Sequence, residues 1–122
     1  MSLIYAYQNR GLTKDLAIRN AADAVITPSS DDVIRVVIGH EGRLGSALAG
    51  AKLVVASDAP TAEGSTFTKN GGSAAGYNRL RLDASDLAFG PGTYTLFLDY
   101  FDGADADEWK NVDRQVFVLE ET

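Results

Sequence analysis

The sequence predicts an all-β fold, an antiparallel β-sandwich of about seven or eight strands. Short apolar stretches recur at a spacing of roughly ten residues, as in sandwiches, and the twelve glycines and three prolines fall between them. No window combines helical periodicity with helical length. The 122 residues fit one domain, 1–122, in which residues 1–12 are an N-terminal segment that can form an arm.

The strand predictions follow from apolar and β-branched runs. In the stretch 77–83, Leu80 and Leu82 share one face while Arg79 and Arg81 share the other. The predicted strands are 3–8, 15–19, 24–27, 32–39, 52–57, 77–83, 93–100 and 114–120, with a further short candidate at 65–68. Helical turns are expected only at 43–51 and at 83–88, where Asp83 or Ser85 can cap the turn.

The segment 87–94, LAFGPGTY, places a leucine and a glycine turn just before a tyrosine at a strand start. Leu87, Gly92 and Tyr94 thus resemble the tyrosine corner of immunoglobulin-like sandwiches, in which the tyrosine hydroxyl bonds to upstream backbone. The alternative is an ordinary core tyrosine. The predicted sandwich is therefore immunoglobulin-like.

Three predicted strands carry large apolar residues on both faces, although a sandwich strand normally turns its second face to water. Something must cover that outer face: another subunit, the N-terminal segment or the long loop of the same chain. We expect an interface with other protein chains, or with further copies of this one, to be formed by Val33, Val37, Phe97, Phe101 and Phe117.

Composition excludes several kinds of site. The chain has no cysteine, so it forms no disulfide, thiolate zinc site or iron–sulfur cluster, and it has one histidine, His40. The net charge of −6 comes from residues 99–122, because residues 1–98 hold nine basic and nine acidic side chains. No basic footprint exists for nucleic acid or for an anionic membrane surface. No apolar run is long enough to span a membrane, and no signal peptide is visible.

The acidic stretch 99–109, DYFDGADADEW, raises two chemical possibilities. Calcium prefers carboxylate oxygens, which Asp102, Asp105, Asp107 and Glu108 supply, but the EF-hand order is absent. Paired carboxylates also serve glycoside hydrolysis, which needs a cleft that nothing here indicates. The favoured interpretation is a solvated acidic turn, with no cofactor.

No other motif indicates catalysis. His40 and Glu41 are neighbours on a predicted strand end and point to opposite faces, so HEGRLG is interpreted as a polar turn. The glycine runs match neither a P-loop nor a dinucleotide fingerprint. We therefore expect a protein that is not an enzyme.

The order of these motifs resembles the immunoglobulin-like virion structural proteins of tailed bacteriophages, which belong to head, neck and tail genes. The resemblance covers residues 13–122. It rests on DDVIRVVIGHEG, AKLVVAS, GSTFTKN, YNRLRLDASDLAFGPGTYTLFLDYFDG and EWKNVDRQVFVLEET. It implies a non-enzymatic protein made in the bacterial cytoplasm, where missing cysteines fit the reducing conditions. There it assembles into the virion with itself or with other virion proteins.

A different function class stays open. An extracellular-type binding module for carbohydrate or another host-surface ligand would use Trp109, Tyr100 and Tyr77 for stacking, with calcium at the acidic turn. Tryptophan and tyrosine also anchor core edges and protein interfaces, so these residues alone do not decide between the two.

Overall fold

The protein folds as a β-sandwich. The computed structural model describes residues 3–39, 50–57, 64–102 and 110–122. In this part of the chain there are nine strands and a short 3₁₀ turn at Ala84–Asp86. The strands are β1 (Leu3–Tyr7), β2 (Leu12–Arg19), β3 (Val25–Ile26), β4 (Val33–Gly39), β5 (Ala51–Ala56), β6 (Thr66–Thr68), β7 (Tyr77–Leu82), β8 (Gly92–Phe101) and β9 (Lys110–Glu120).

The strands form two sheets, one in the order β1-β9-β8-β4-β5 and one in the order β3-β2-β7-β6. The run β9-β8-β4 with β5 beside it, facing β2-β7-β6, is the arrangement of immunoglobulin-like sandwiches. All-β architecture and the sandwich are as the sequence predicts. The described chain carries nine strands, because the further short candidate at 65–68 forms strand β6 beside the eight predicted ones.

One pairing departs from the antiparallel prediction. Strand β1 runs parallel to β9, with Leu3 opposite Val116 and Tyr7 opposite Glu120. The N-terminal segment therefore does not extend as an arm at Leu3–Tyr7, because these residues complete the edge of the five-stranded sheet. Two alternate residues of β1, Ile4 and Ala6, are each 3% exposed and join the core.

The core lies between the sheets and follows from period-two alternation on each strand. Strand β4 contributes Ile34, Val36 and Ile38, and each is fully buried. The same alternation on the other strands adds Leu16, Ile18, Phe67, Leu80, Leu82, Leu96, Leu98, Phe117 and Leu119. Because most of these residues are large and aliphatic, burial of their side chains is the main force holding the two sheets together.

Polar contacts fix the turns at one end of the sandwich. The Lys69 ammonium donates to the backbone carbonyls of Ser29, Ser30 and Asp32, at 2.9, 3.1 and 2.5 Å. The predicted cap at Asp83 is present, since its side chain accepts from the backbone N–H of Ser85. Within the described residues, no helix is long and apolar enough to cross a membrane.

Candidate interaction surface

The most exposed apolar side chains of the described chain lie on strand β1. Leu3, Tyr5 and Tyr7 are 47%, 56% and 43% exposed, and they alternate with the buried Ile4 and Ala6. They therefore form one row on the outward face of the five-stranded sheet, which we call the β1 row. Tyrosine is a residue type enriched at protein interfaces.

The β1 row continues onto β9. Val116 lies opposite Leu3, and Val118 lies opposite Tyr5, in the parallel pairing. Both valines are half-buried, on the face of β9 opposite to the core residues Phe117 and Leu119. Two strands thus present a continuous apolar surface, and contiguous apolar surface of this kind marks interaction sites.

The backbone of strand β1 is a second feature of this surface. It is the terminal strand of its sheet, so one side pairs with β9 and the other meets no strand among the described residues. Its sequence, LIYAY, has no charged residue, proline or glycine. Natural edge strands usually carry such residues to prevent pairing with other chains. The β1 edge is therefore open to strand addition.

The structure places the predicted interface residues differently. Phe117 is fully buried and pairs with Tyr94 on the core side, so its predicted place on the outer face is wrong. Val37 and Phe97 do lie on the outer face, opposite each other, but they are 0% and 3% exposed in the chain itself. They offer almost no area to a partner.

At the end of that outer face, Val33 and Phe101 lie opposite each other and are half-buried. They keep some exposed area, but far less than the three residues of the β1 row. The outer face of these strands was expected to be covered either by another subunit or by the same chain. The same chain buries the middle of that face.

A buried ion pair accompanies the apolar residues on this face. The Arg35 Nε donates to Asp99 Oδ2 at 3.0 Å, and the amide of Asn111 donates to Asp99 Oδ1 at 3.2 Å. Asp99 is 1% exposed. Beside it, the Arg114 guanidinium lies 5.3 Å from the centre of the Phe97 ring. Because both charges are removed from water, loss of either partner would leave the other uncompensated.

The geometry around Tyr94 is that of a tyrosine corner. Its hydroxyl donates to the backbone carbonyl of Gly90, four residues upstream, at 2.5 Å. The ring is 6% exposed and meets Phe89 edge-on, with 5.1 Å between ring centres. Gly92 has a φ of 157°, a value that side-chain-bearing residues rarely adopt. Leu87 is fully buried beneath the turn.

The acidic turn is described only in part. Asp102 is half-buried, while Asp105, Asp107 and Glu108 lie outside the described residues. The aspartates and glutamates that the structure does describe form no cluster able to hold a metal ion. The calcium interpretation stays a prediction from the sequence.

Of the aromatic residues considered for sugar stacking, two are described. The Tyr100 hydroxyl donates to Asp32 Oδ2 at 2.6 Å. Burial, and then this bond to a carboxylate, raises the pKa of Tyr100 well above its ordinary value. Tyr77 receives a 3.4 Å bond from Arg19 on its hydroxyl. The hydroxyl of each tyrosine thus joins two segments that lie next to each other in the fold. Trp109 and His40 lie outside the described residues.

A shallow cleft of about 230 Å³ opens between β2 and β9 at the side of the sandwich. Gln115 faces it from β9 and is 8% exposed, and its Oε1 accepts no hydrogen bond. On the β2 side, Asp15 forms an ion pair with Arg79, at 2.9 Å between Oδ1 and Nε. The hydrogen bond from Arg79 lowers the pKa of Asp15 below its ordinary value.

The sequence matches no model of a known protein family and no curated protein. The β1 row was missed by sequence reasoning, which identified 3–8 as an apolar strand without asking which side chains stay exposed. The signal available was an uncharged strand with aromatic residues at every second position.

Proposed function

We propose that this protein is a non-enzymatic structural module that assembles with other protein chains, as the structural proteins of bacteriophage virions do. One observation carries the proposal: an uncharged edge strand whose Leu3, Tyr5 and Tyr7 are about half exposed. Release of water from these side chains favours association with another chain, and so does a backbone edge that meets no strand among the described residues.

The charged side chains described within the sandwich support a structural role. Arg35 is bound to Asp99, Arg79 to Asp15, and the carboxylate of Asp32 receives the hydroxyl of Tyr100. Each contact joins segments more than sixty residues apart in sequence. Groups engaged in this way hold the fold, whereas a catalytic group needs a polar atom directed at a substrate.

Assignment to a virion rests on the resemblance of residues 13–122 to immunoglobulin-like phage proteins. The sandwich topology and the Tyr94 corner are compatible with it. Virion proteins are used in many copies, so a contact of modest strength is enough when it is repeated. The protein would be synthesised in the bacterial cytoplasm before assembly.

The test is to purify the particles released when the encoding genome replicates, and to quantify this chain by mass spectrometry. We expect many copies per particle. Tyr5→Lys, supplied in place of the natural chain, should be incorporated poorly, because it puts a charge in the centre of the β1 row. Val25→Lys is the matched control, since Val25 is exposed on the other sheet. Particles that lack the chain would refute the assignment.

The two described tyrosines that the sequence offered for sugar stacking do not support the carbohydrate-binding alternative. Tyr100 and Tyr77 have their hydroxyls engaged with Asp32 and Arg19, and their rings are partly covered. A sugar-binding platform needs aromatic faces open to solvent, as in the β1 row rather than at these positions.

A further inference from the structure

We infer that the partner on the β1 edge is a second copy of the same chain, with two β1 strands antiparallel about a two-fold axis through Tyr5. The inference deepens the assembly function proposed above and rests on it. It specifies the occupant of the surface, the strand direction and the residue register.

The first argument concerns backbone hydrogen bonds. The outer edge of β1 meets no strand in the described chain. The Tyr7 carbonyl accepts from the backbone N–H of Arg10 at 3.2 Å, and the remaining backbone groups on that side find water or another strand. A strand can be added there without moving β9, which binds the other side over Leu3–Tyr7. Association of two such edges converts two five-stranded sheets into one continuous sheet.

The second argument concerns charge. The chain carries a net charge of −6, so two copies repel each other at most approaches. Strand β1 has no charged residue. The acidic Glu120 lies opposite Tyr7 on β9, at one end of the strand. A two-fold arrangement places the two Glu120 side chains at opposite ends of the joint, where their repulsion is weakest.

The third argument concerns side-chain complementarity. In an antiparallel pair, directly opposite residues lie on the same face of the sheet. A two-fold axis at Tyr5 places Tyr5 opposite itself and Leu3 opposite Tyr7 of the second copy. Each of the five residues then lies opposite a residue of the second copy, the β1 rows of both copies lie side by side as three cross-strand pairs, and Ile4 and Ala6 stay on the core side.

Interface size sets the strength of this contact. Five residues of strand extend about 17 Å, and three half-exposed side chains from each copy place the contact below the roughly 1,200 Å² of a stable interface. We expect a reversible dimer with a dissociation constant on the order of 100 µM. Such a contact becomes stable when many copies are held together.

Sedimentation velocity of the full chain is the first measurement, over a range from about 10 to about 500 µM chosen to span that constant. We expect monomer at the low end and a rising dimer fraction at the high end. Tyr5→Lys should weaken dimerisation at least about tenfold, because like charges then face each other across the axis. Val25→Lys should dimerise as the natural chain does.

The register is tested by cross-linking, which the absence of native cysteine makes specific. Tyr5→Cys should form a disulfide dimer on mild oxidation, since directly opposite residues satisfy disulfide geometry. Leu3→Cys and Tyr7→Cys should cross-link when mixed and poorly when alone. Circular dichroism establishes that each variant is folded.

The outcomes separate this inference from the proposed function. A chain that is monomeric at every concentration, or whose dimer survives Tyr5→Lys, overturns the β1–β1 pairing. Cross-linking without preference for the mixed pair also overturns it. If the chain is nevertheless abundant in particles, the assembly function stands and the occupant of the edge is a different virion protein.

Discussion

The hydroxyl of Tyr94 provides a direct test of how the sandwich is held at its corner. Tyr94→Phe removes one oxygen, and with it the 2.5 Å bond to the Gly90 carbonyl. The ring itself stays, so the edge-on contact with Phe89 at 5.1 Å is retained. The substitution therefore isolates a single hydrogen bond from the packing around it.

The size of the effect follows from the two ends of that bond. The tyrosine is 6% exposed, but Gly90 is exposed, so its carbonyl can bind water once the hydroxyl is gone. A carbonyl that can bind water after losing its donor destabilises the fold less than a carbonyl left without any partner. The free energy of unfolding should therefore fall by about 1 kcal/mol. For a domain of this size, the melting temperature should fall by about 3–5 °C.

Urea unfolding followed by circular dichroism measures this change, at a concentration of about 5 µM, well below the range expected for weak association. Tyr5→Phe is the control, because it deletes the same atom from a ring that is 56% exposed. It should change stability by less than about 0.5 kcal/mol. If Tyr94→Phe changes stability no more than Tyr5→Phe, the hydroxyl does not stabilise the corner and that reasoning is refuted.

Three further substitutions test the rest of the fold. The sequence predicts that Phe97 is an interface residue, and on that prediction Phe97→Asp would leave the chain folded and block assembly alone. Since Phe97 is 3% exposed, we now expect the free energy of unfolding to fall by at least about 3 kcal/mol, measured by urea unfolding; an unchanged urea midpoint would contradict the burial of this side chain. Asp15→Asn removes the pairing with Arg79, which lowers the pKa of the Asp15 carboxyl below its ordinary value. The ion pair stabilises the fold fully at a pH above the pKa of Asp15 in the unfolded chain, and this stabilisation is lost as the pH falls through the pKa in the folded chain. The difference in melting temperature between the natural chain and the variant should therefore be larger at pH 7 than at about pH 2. An equal difference in melting temperature at the two pH values would contradict this expectation. Gln115→Met replaces a buried amide whose Oε1 has no partner and should raise the urea midpoint, by about 1 kcal/mol of stability; a comparable decrease would show that the amide is satisfied in solution.

Strand positions and the Tyr94 corner could be predicted from the sequence because both are local signals. Leu80 and Leu82 alternate with arginines and both are buried, as period two requires. A glycine turn before a strand tyrosine is likewise contained in one short segment, 87–94, so no knowledge of distant residues is needed.

The surfaces could not be predicted in the same way. Alternation groups residues by face, but only pairing register decides which face meets the core. Phe117 lies inward because it pairs with Tyr94, and Asp99 is buried because Arg35, sixty-four residues away, binds it. The parallel direction of β1 also depends on a strand more than a hundred residues distant. These are long-range facts that no local window contains.

The pairing of β1 with β9 has a consequence for how the chain is made. About a hundred residues separate Tyr7 from Lys110, and at roughly 5–20 residues per second the ribosome needs about 5–20 s to synthesise them. Throughout that interval β1 has no β9 to pair with, and neighbouring ribosomes on one message hold further uncharged copies of it. We therefore expect that slowing translation late in the chain increases exchange of β1 between nascent chains, while rapid completion favours closure within one molecule.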